Sequence, residues 1–178
     1  MKKIIAPVIL LLLAINAIAQ VKNTVTKSAI TFEIKNLGLN TGGSLGGLQT
    51  TIQFDPANLA TSSIEASVDV NAINTGSDTK DTHLKSADFF DVARFPKITM
   101  KSVSFKHKSG NNYTGVFNLT IKDHSKTIQV PFSYTETGAS GSFKGSFKLN
   151  RTDYGVGEKS MILSSDVTVN IEVEIAKG

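Results

Sequence analysis

DVTVNIEVEI, residues 166–175, decides the fold. Val167, Val169, Ile171, Val173 and Ile175 alternate with Asp166, Thr168, Asn170, Glu172 and Glu174. Successive side chains of a strand point to opposite faces, so one face here is aliphatic and the other polar. That is an antiparallel strand with one wet side. A parallel strand covered by helices would be apolar on both.

The same period runs back up the chain. Phe143, Gly145, Phe147 and Leu149 share one face, with Gly145 leaving room among large residues. Ile128, Val130, Phe132 and Tyr134 share another. Pro131 interrupts that run, so its missing N–H must fall at an edge, a bulge or a break in the ladder. Tyr113, Gly115, Phe117, Leu119 and Ile121 make a third set. Gly138 to Gly141, Asp123 with His124, and Ser109 to Asn112 supply the turns between them. Ile98 and Met100 share a parity that Val103 and Phe105 do not, which predicts a β-bulge near Lys101 and Ser102.

Nearer the N-terminus, Ile64, Ala66, Val68 and Val70 form one apolar face, and Ile73 resumes it after an irregularity. Leu48, Thr50, Ile52 and Phe54 form the next, ended by Asp55, Pro56 and Asn58. Ile30, Phe32 and Ile34 form the first. Gly42, Gly43, Gly46 and Gly47 suit a bend, a bulge or positive φ angles. They are not a phosphate loop, because the lysine and hydroxyl of that motif are missing. The count is about eight strands with short connections. A curved barrel and a two-sheet sandwich both satisfy this periodicity. Pairing the first strand with the last would close the sheet and cover two edges.

One connection is different. HLKSADFFDVARFPKIT, residues 83–99, carries Phe89, Phe90 and Phe95, with Pro96 steering Phe95 away from helical geometry. Three such side chains forfeit roughly 1.5–3 kcal/mol each if left in water. The segment is therefore expected to pack on the body as a plug or lid. The polar run Asn74 to Asp81 caps a short helix leading into His83 and Leu84.

Residues 1–19 are expected to be a signal peptide. Lys2 and Lys3 precede an apolar run from Ile4 to Ile15, and Ala17-Ile18-Ala19 is a small–x–small cleavage pattern. Cleavage after Ala19 leaves a single domain, residues 20–178, and lowers the formal net charge from +4 to +2 because two lysines depart. No continuous basic footprint appears, which argues against nucleic acid. Cysteine is absent, which a domain with a sizeable core tolerates outside the cell membrane. The expected location is the periplasm, with secretion as the alternative.

No catalytic signature stands out. The three histidines, His83, His107 and His124, are far apart in sequence. Asp78, Asp81 and His83 have no spacing that fixes a metal. There is no cysteine nucleophile and no serine motif with a general base. Arg151 and Asp153, beside Tyr154 and Gly155, read either as a salt-bridged corner or as a polar group at a cavity mouth. No cofactor is implied. Inward Phe, Ile, Val and Leu would make an apolar container, unless they fill it themselves.

HLKSADFFDVARFPKITMKS (83–102), GVFNLTIKDHSKTIQVPF (115–132), NRTDYGVG (150–157) and VTVNIEVE (167–174) together resemble the YceI-like family of bacterial exported proteins. His83, Leu84, Asp88, Phe89, Phe90, Phe95 and Pro96 match its central motif. Gly115, Leu119, Thr120 and Ile121 match a hairpin motif, and Arg151, Asp153, Tyr154 and Gly155 a corner motif. Tyr154 stands where Phe is common, Asn36 where histidine is frequent, and Asp123 where glycine is usual.

The resemblance implies an all-β, eight-stranded antiparallel, lipocalin-like barrel with a short helical and aromatic lid. It also implies non-enzymatic binding of a long isoprenoid or quinone-type lipid, for transport or storage. The residues expected to meet that ligand are Phe32, Phe54, His83, Phe89, Phe90, Phe95, Phe117, Phe132, Phe147, Arg151 and Tyr154. The alternatives are a filled barrel serving as an interaction or envelope-stress scaffold and, behind it, an enzyme acting on lipid. Transient membrane contact and a homodimer both remain open.

Overall fold

The computed structural model describes residues 23–177. The expected signal peptide and its cleavage point lie outside them. The strands are β1 (Thr24–Asn36), β2 (Leu39–Gln53), β3 (Ser63–Asn74), β4 (Lys97–Ser109), β5 (Asn112–Ile121), β6 (His124–Thr137), β7 (Ser140–Asn150) and β8 (Leu163–Ala176). One helix, α1 (Asp78–Lys85), lies between β3 and β4. Each strand pairs antiparallel with its neighbour in sequence, and β1 pairs with β8, so the sheet closes into a barrel. Closure rules out the sandwich. It leaves no edge strand, and it puts the even-numbered aliphatic face of β1 against the odd-numbered face of β8: Ile30 opposite Ile171, Phe32 opposite Val169, Ile34 opposite Val167.

Parity changes mark the bulges. On β4 the register shifts between Ser102 and Ser104, which makes Val103 the extra residue and turns its side chain to solvent. The expected bulge thus lies one position later, and Val103 is not an inward residue. On β2, Leu45 and Leu48 both reach the interior because the register breaks at Gly46 and again before Gln49. Gly47 takes a φ of +67° there, with Asp69 so close that a Cβ would sit 2.9 Å from it. Opposite, Val70 and Ile73 are both buried, and Asp69 accepts the Asn71 N–H at 2.9 Å across the irregularity. Pro131 pairs with Thr114 of β5, while the β6–β7 ladder begins only at Phe132. The proline therefore stands at a break in that ladder. The β5–β6 turn is Lys122–Asp123, with the positive φ (55°) on Lys122, so His124 already belongs to β6.

The two ends of the barrel differ. At the end carrying the β2–β3, β4–β5 and β6–β7 connections, Phe54 enters as the centre of an aromatic plug. Its ring meets Phe105, Tyr113, Phe132, Tyr134 and Phe143 at centroid distances of 5.0–5.7 Å, all edge-on. Edge-to-face pairs of this kind stabilise beyond area burial by about 0.5–1.5 kcal/mol each. Tyr134 donates its hydroxyl to Glu136 at 3.1 Å, and Glu136 pairs in turn with Lys177. Burial, then the Glu136 hydrogen bond and charge, push the Tyr134 phenol up to about 12. The ion pair and hydrogen bonds hold Glu136 below its ordinary value.

Two outcomes follow from the plug. Phe54→Ala removes the common partner of five rings and should lower unfolding free energy by about 3–5 kcal/mol in urea denaturation. For Tyr134, the folded phenol keeps its proton above the pH at which the unfolded one loses it. Its contribution is therefore present below about pH 10 and lost as the pH rises towards 12. Tyr134→Phe should flatten the alkaline fall in melting temperature relative to the wild type. An identical alkaline slope in both proteins would contradict this.

Candidate functional site: an apolar cavity within the barrel

Above the plug the barrel is hollow. A cavity of about 160 Å³ occupies its middle. One water needs roughly 10–15 Å³ of such space, so this is far more than a packing defect. Aliphatic side chains from every strand line it, among them Ile30, Leu48, Ala66, Met100, Leu119 and Ile171. Gly145 lines it too; a Cβ there would press on Phe132, Val130 and the Pro131 carbonyl at 3.3–3.4 Å. Thr50, Ser67 and Thr99 are the polar residues of the wall, and no charged side chain takes part. Thr50 spends its hydroxyl on the Glu65 carbonyl at 2.6 Å. The barrel is therefore not filled by its own phenylalanines.

The opposite end carries the β1–β2 hairpin, the β3–β4 connection, the Lys122–Asp123 turn and the β7–β8 connection. The β3–β4 connection is an ordered lid. Asp81 anchors the start of α1 by accepting the Thr75 N–H at 2.8 Å and its hydroxyl at 2.7 Å, and these bonds lower the Asp81 pKa. Ser77, at the N-cap, makes no side-chain capping bond. After α1 the chain folds on itself: Phe90 N–H donates to Leu84, Asp91 N–H to Ser86, and Phe95 N–H to Asp91, at 2.8–3.0 Å. Phe89 and Phe90 pack against the cluster of Phe117, Leu119, Ile121, Phe147 and Tyr154.

The corner after β7 locks onto this lid. Arg151 is buried, and its guanidinium donates to the carbonyls of Val156, Glu158, Leu163 and Ser164 at 2.7–3.4 Å. Burial alone pulls its pKa down. Asp153 pairs with Lys126 at 3.1 Å, so the expected Arg151–Asp153 salt bridge is replaced by a carbonyl cage. A buried guanidinium has five donors to satisfy, and a loop folded around it supplies the acceptors. Gly157, at φ +66°, passes so close that a Cβ would sit 2.8 Å from both Phe89 and Arg151. Its N–H donates to Asp88 of the lid at 3.0 Å. Lys122 reaches the Gly155 carbonyl at 2.9 Å.

The lid covers only part of its end. On the β1, β2 and β8 side, the inward Phe32, Ile34, Leu45 and Val167 are half-buried. Their counterparts at the plugged end, such as Tyr113, Tyr134 and Ile175, are buried. On the half-covered side the inward residues of the rim keep part of their surface exposed.

The structure distributes the residues singled out from the sequence over five places. Phe117, Phe132 and Phe147 line the cavity. Phe54 belongs to the plug, with Phe132 shared between plug and cavity. Phe89 and Phe90 form the underside of the lid. His83 is exposed on α1 and lies on Phe89 with ring centroids 4.7 Å apart. Phe95 sits beneath the exposed Arg94 guanidinium at 4.9 Å, and Arg94 pairs with Asp91 at 3.2 Å rather than meeting Arg151. Phe32 is half-buried near the β1–β2 end of the barrel and outside the cavity wall, Tyr154 is buried beside the corner, and Arg151 has its donors committed to the loop. Asn36 is exposed at the β1–β2 hairpin, away from the cavity wall. The aliphatic side chains of the cavity wall are not among the residues singled out from the sequence. Their signal was inward parity, which wall residues share with ordinary core.

This arrangement can bind but has little with which to break bonds. No carboxylate, imidazole or amine faces the cavity. No group of three or more His, Asp or Glu side chains among the described residues is placed to hold a metal ion.

Residues 22–175 match the model of the YceI-like domain. A UPF0312 protein of Vibrio cholerae is 28% identical over 154 residues, covering 83% of this chain and 80% of its own. Among solved structures, BcnA of Burkholderia cenocepacia superposes with a TM-score of 0.80 at 25% identity, covering 83% of this chain and 95% of its own. The YCEI protein of Campylobacter jejuni gives 0.72 at 26%, covering 79% and 86%. A polyisoprenoid binding domain from Saccharophagus degradans shares the fold, with a TM-score of 0.67 at 14% identity, over 89% and 99%. The family match spans nearly all of the described residues, and the chain belongs to the YceI-like family.

Proposed function

We propose that the barrel is a non-enzymatic carrier of a long-chain isoprenoid lipid, working in the periplasm after loss of the first nineteen residues. The observation that supports this most is the uncharged cavity between the aromatic plug and the half-covered rim. Hydrocarbon needs no hydrogen-bond recognition, and its burial contributes about 0.8 kcal/mol per CH₂. A structure of the same fold is described as a polyisoprenoid binding domain, which supports the isoprenoid class over a straight acyl chain. Phe117, Phe132 and Phe147 would flank the chain in the wall, and Phe32 would meet it at that rim. Phe54 would set the floor, and Phe89 with Phe90 the roof.

Native mass spectrometry of the protein released from its own cell envelope, followed by lipid extraction, should recover an isoprenoid in stoichiometric amount. Repeated recovery of empty protein, with no uptake of added polyprenol, would refute the carrier reading. Ala66→Phe places a ring in the cavity from the middle of β3. It should lower polyprenol affinity by about tenfold or more while holding or raising the melting temperature, since it fills space. Unchanged affinity in a folded Ala66→Phe protein would place the ligand elsewhere.

A further inference from the structure

The described residues expose five large apolar side chains, and four of them stand together. Leu37 (72% exposed) and Leu39 (75%) are on the β1–β2 hairpin; Met161 (104%) and Ile162 (56%) are on the β7–β8 connection. The two tips are joined: Leu37 N–H donates to the Ile162 carbonyl at 2.7 Å, and Asn36 pairs with Leu163. Neither tip is a floppy loop. Arg151 grips the carbonyls of Glu158 and Leu163 on either side of Met161. Leu37 holds a φ of +51°, a left-handed conformation that suits glycine or asparagine and strains leucine. The fold thus keeps leucine, at a conformational cost, where it gains no burial within the chain.

We propose that these two tips form a membrane-docking surface that enters the interface of an anionic lipid bilayer. Resting on the carrier reading, this surface is where the lipid would pass between bilayer and barrel. Three observations favour a bilayer over a protein partner. The apolar groups are exposed on two tips held by the Leu37–Ile162 bond and by Arg151, which suits shallow insertion between headgroups. Lys35 and Lys159 flank them with no ion-pair partner among the described residues, and Glu158 is the one acid within residues 34–40 and 157–163. Two lysines against one glutamate leave the tips themselves without net negative charge, so anionic headgroups do not repel them. The surface also adjoins the half-covered rim: Ile34 and Val167, a pair on that side, lie next to the hairpin and the loop. A hydrocarbon chain leaving there would enter lipid without crossing water.

The test compares the exported protein with a variant carrying Leu37→Gly, Leu39→Ser, Met161→Ser and Ile162→Ser, and with a Val103→Ser control, whose exposed valine is on β4. Flotation with phosphatidylethanolamine–phosphatidylglycerol vesicles should carry wild type and control. The fourfold variant should bind at least about tenfold less, with its melting temperature kept because Leu37→Gly relieves strain. Polyprenol delivered in detergent should bind all three proteins alike, while uptake from vesicles should slow only in the variant. Failure of the wild type to float, or undiminished flotation of the variant, would overturn the proposal whatever the detergent result. Loss of detergent-delivered binding in every protein would instead strike the carrier reading. Sedimentation showing a wild-type dimer that the variant abolishes, without vesicle binding, would assign the surface to a second copy and overturn the proposal.

Discussion

The ring of Phe54, set among five other aromatic rings, is the contact on which the hollow barrel depends. A closed eight-stranded sheet satisfies its backbone through its ladders, but it still needs a packed interior. A void in the middle forfeits dispersion contacts along its lining. Here the loss is offset at the ends. The plug seals one end with rings that bury large areas, and the Phe117–Tyr154 cluster beneath the lid packs the wall at the other. The barrel can stay open in its centre because its core is divided in two.

That division explains which parts were legible from the residues alone. β5 alternates throughout and β8 alternates from Asp166 to Ile175, and their inward sets follow from parity. Pairing of β1 with β8 was legible because both are long and an open sheet would leave both as edges. Bulges were legible only approximately. A parity change shows that one residue is extra, but not which; at β4 the exposed residue proved to be Val103. The plug and the cavity were not separable. Phe54 and Phe117 share the same inward signature, yet one closes an end and the other lines a space. Hollow volume depends on the sum of many side-chain positions, and no single residue encodes it.

Arg151 shows the same limit in polar form. An arginine two residues from an aspartate suggests an ion pair, but Asp153 is half-exposed and finds Lys126, while the guanidinium turns inward to backbone carbonyls. The carbonyls became available only because Gly155 and Gly157 adopt left-handed φ angles and curl the chain around it. The consequence reaches the lid. Gly157 touches Phe89 and bonds Asp88, so the corner that holds Arg151 also holds the roof of the cavity. The lid is thereby fixed to the corner between β7 and β8, while on the far side Phe32, Ile34, Leu45 and Val167 stay half-buried.

A cavity of this kind selects by shape more than by chemistry. With no charge in the wall and the Thr50 hydroxyl already satisfied, little rewards a polar group that enters. Each carbon of a chain contributes until its leading end meets the plug at Phe132 and Phe143, which face both the cavity and Phe54. Carbons beyond that depth stay at the rim or outside it and contribute less. Affinity should therefore rise with chain length and then level off, with the plug setting where it levels. In the proposed carrier the polar head of the ligand would stay at the half-covered rim, beside the hairpin and the loop, where discrimination between headgroups would have to arise.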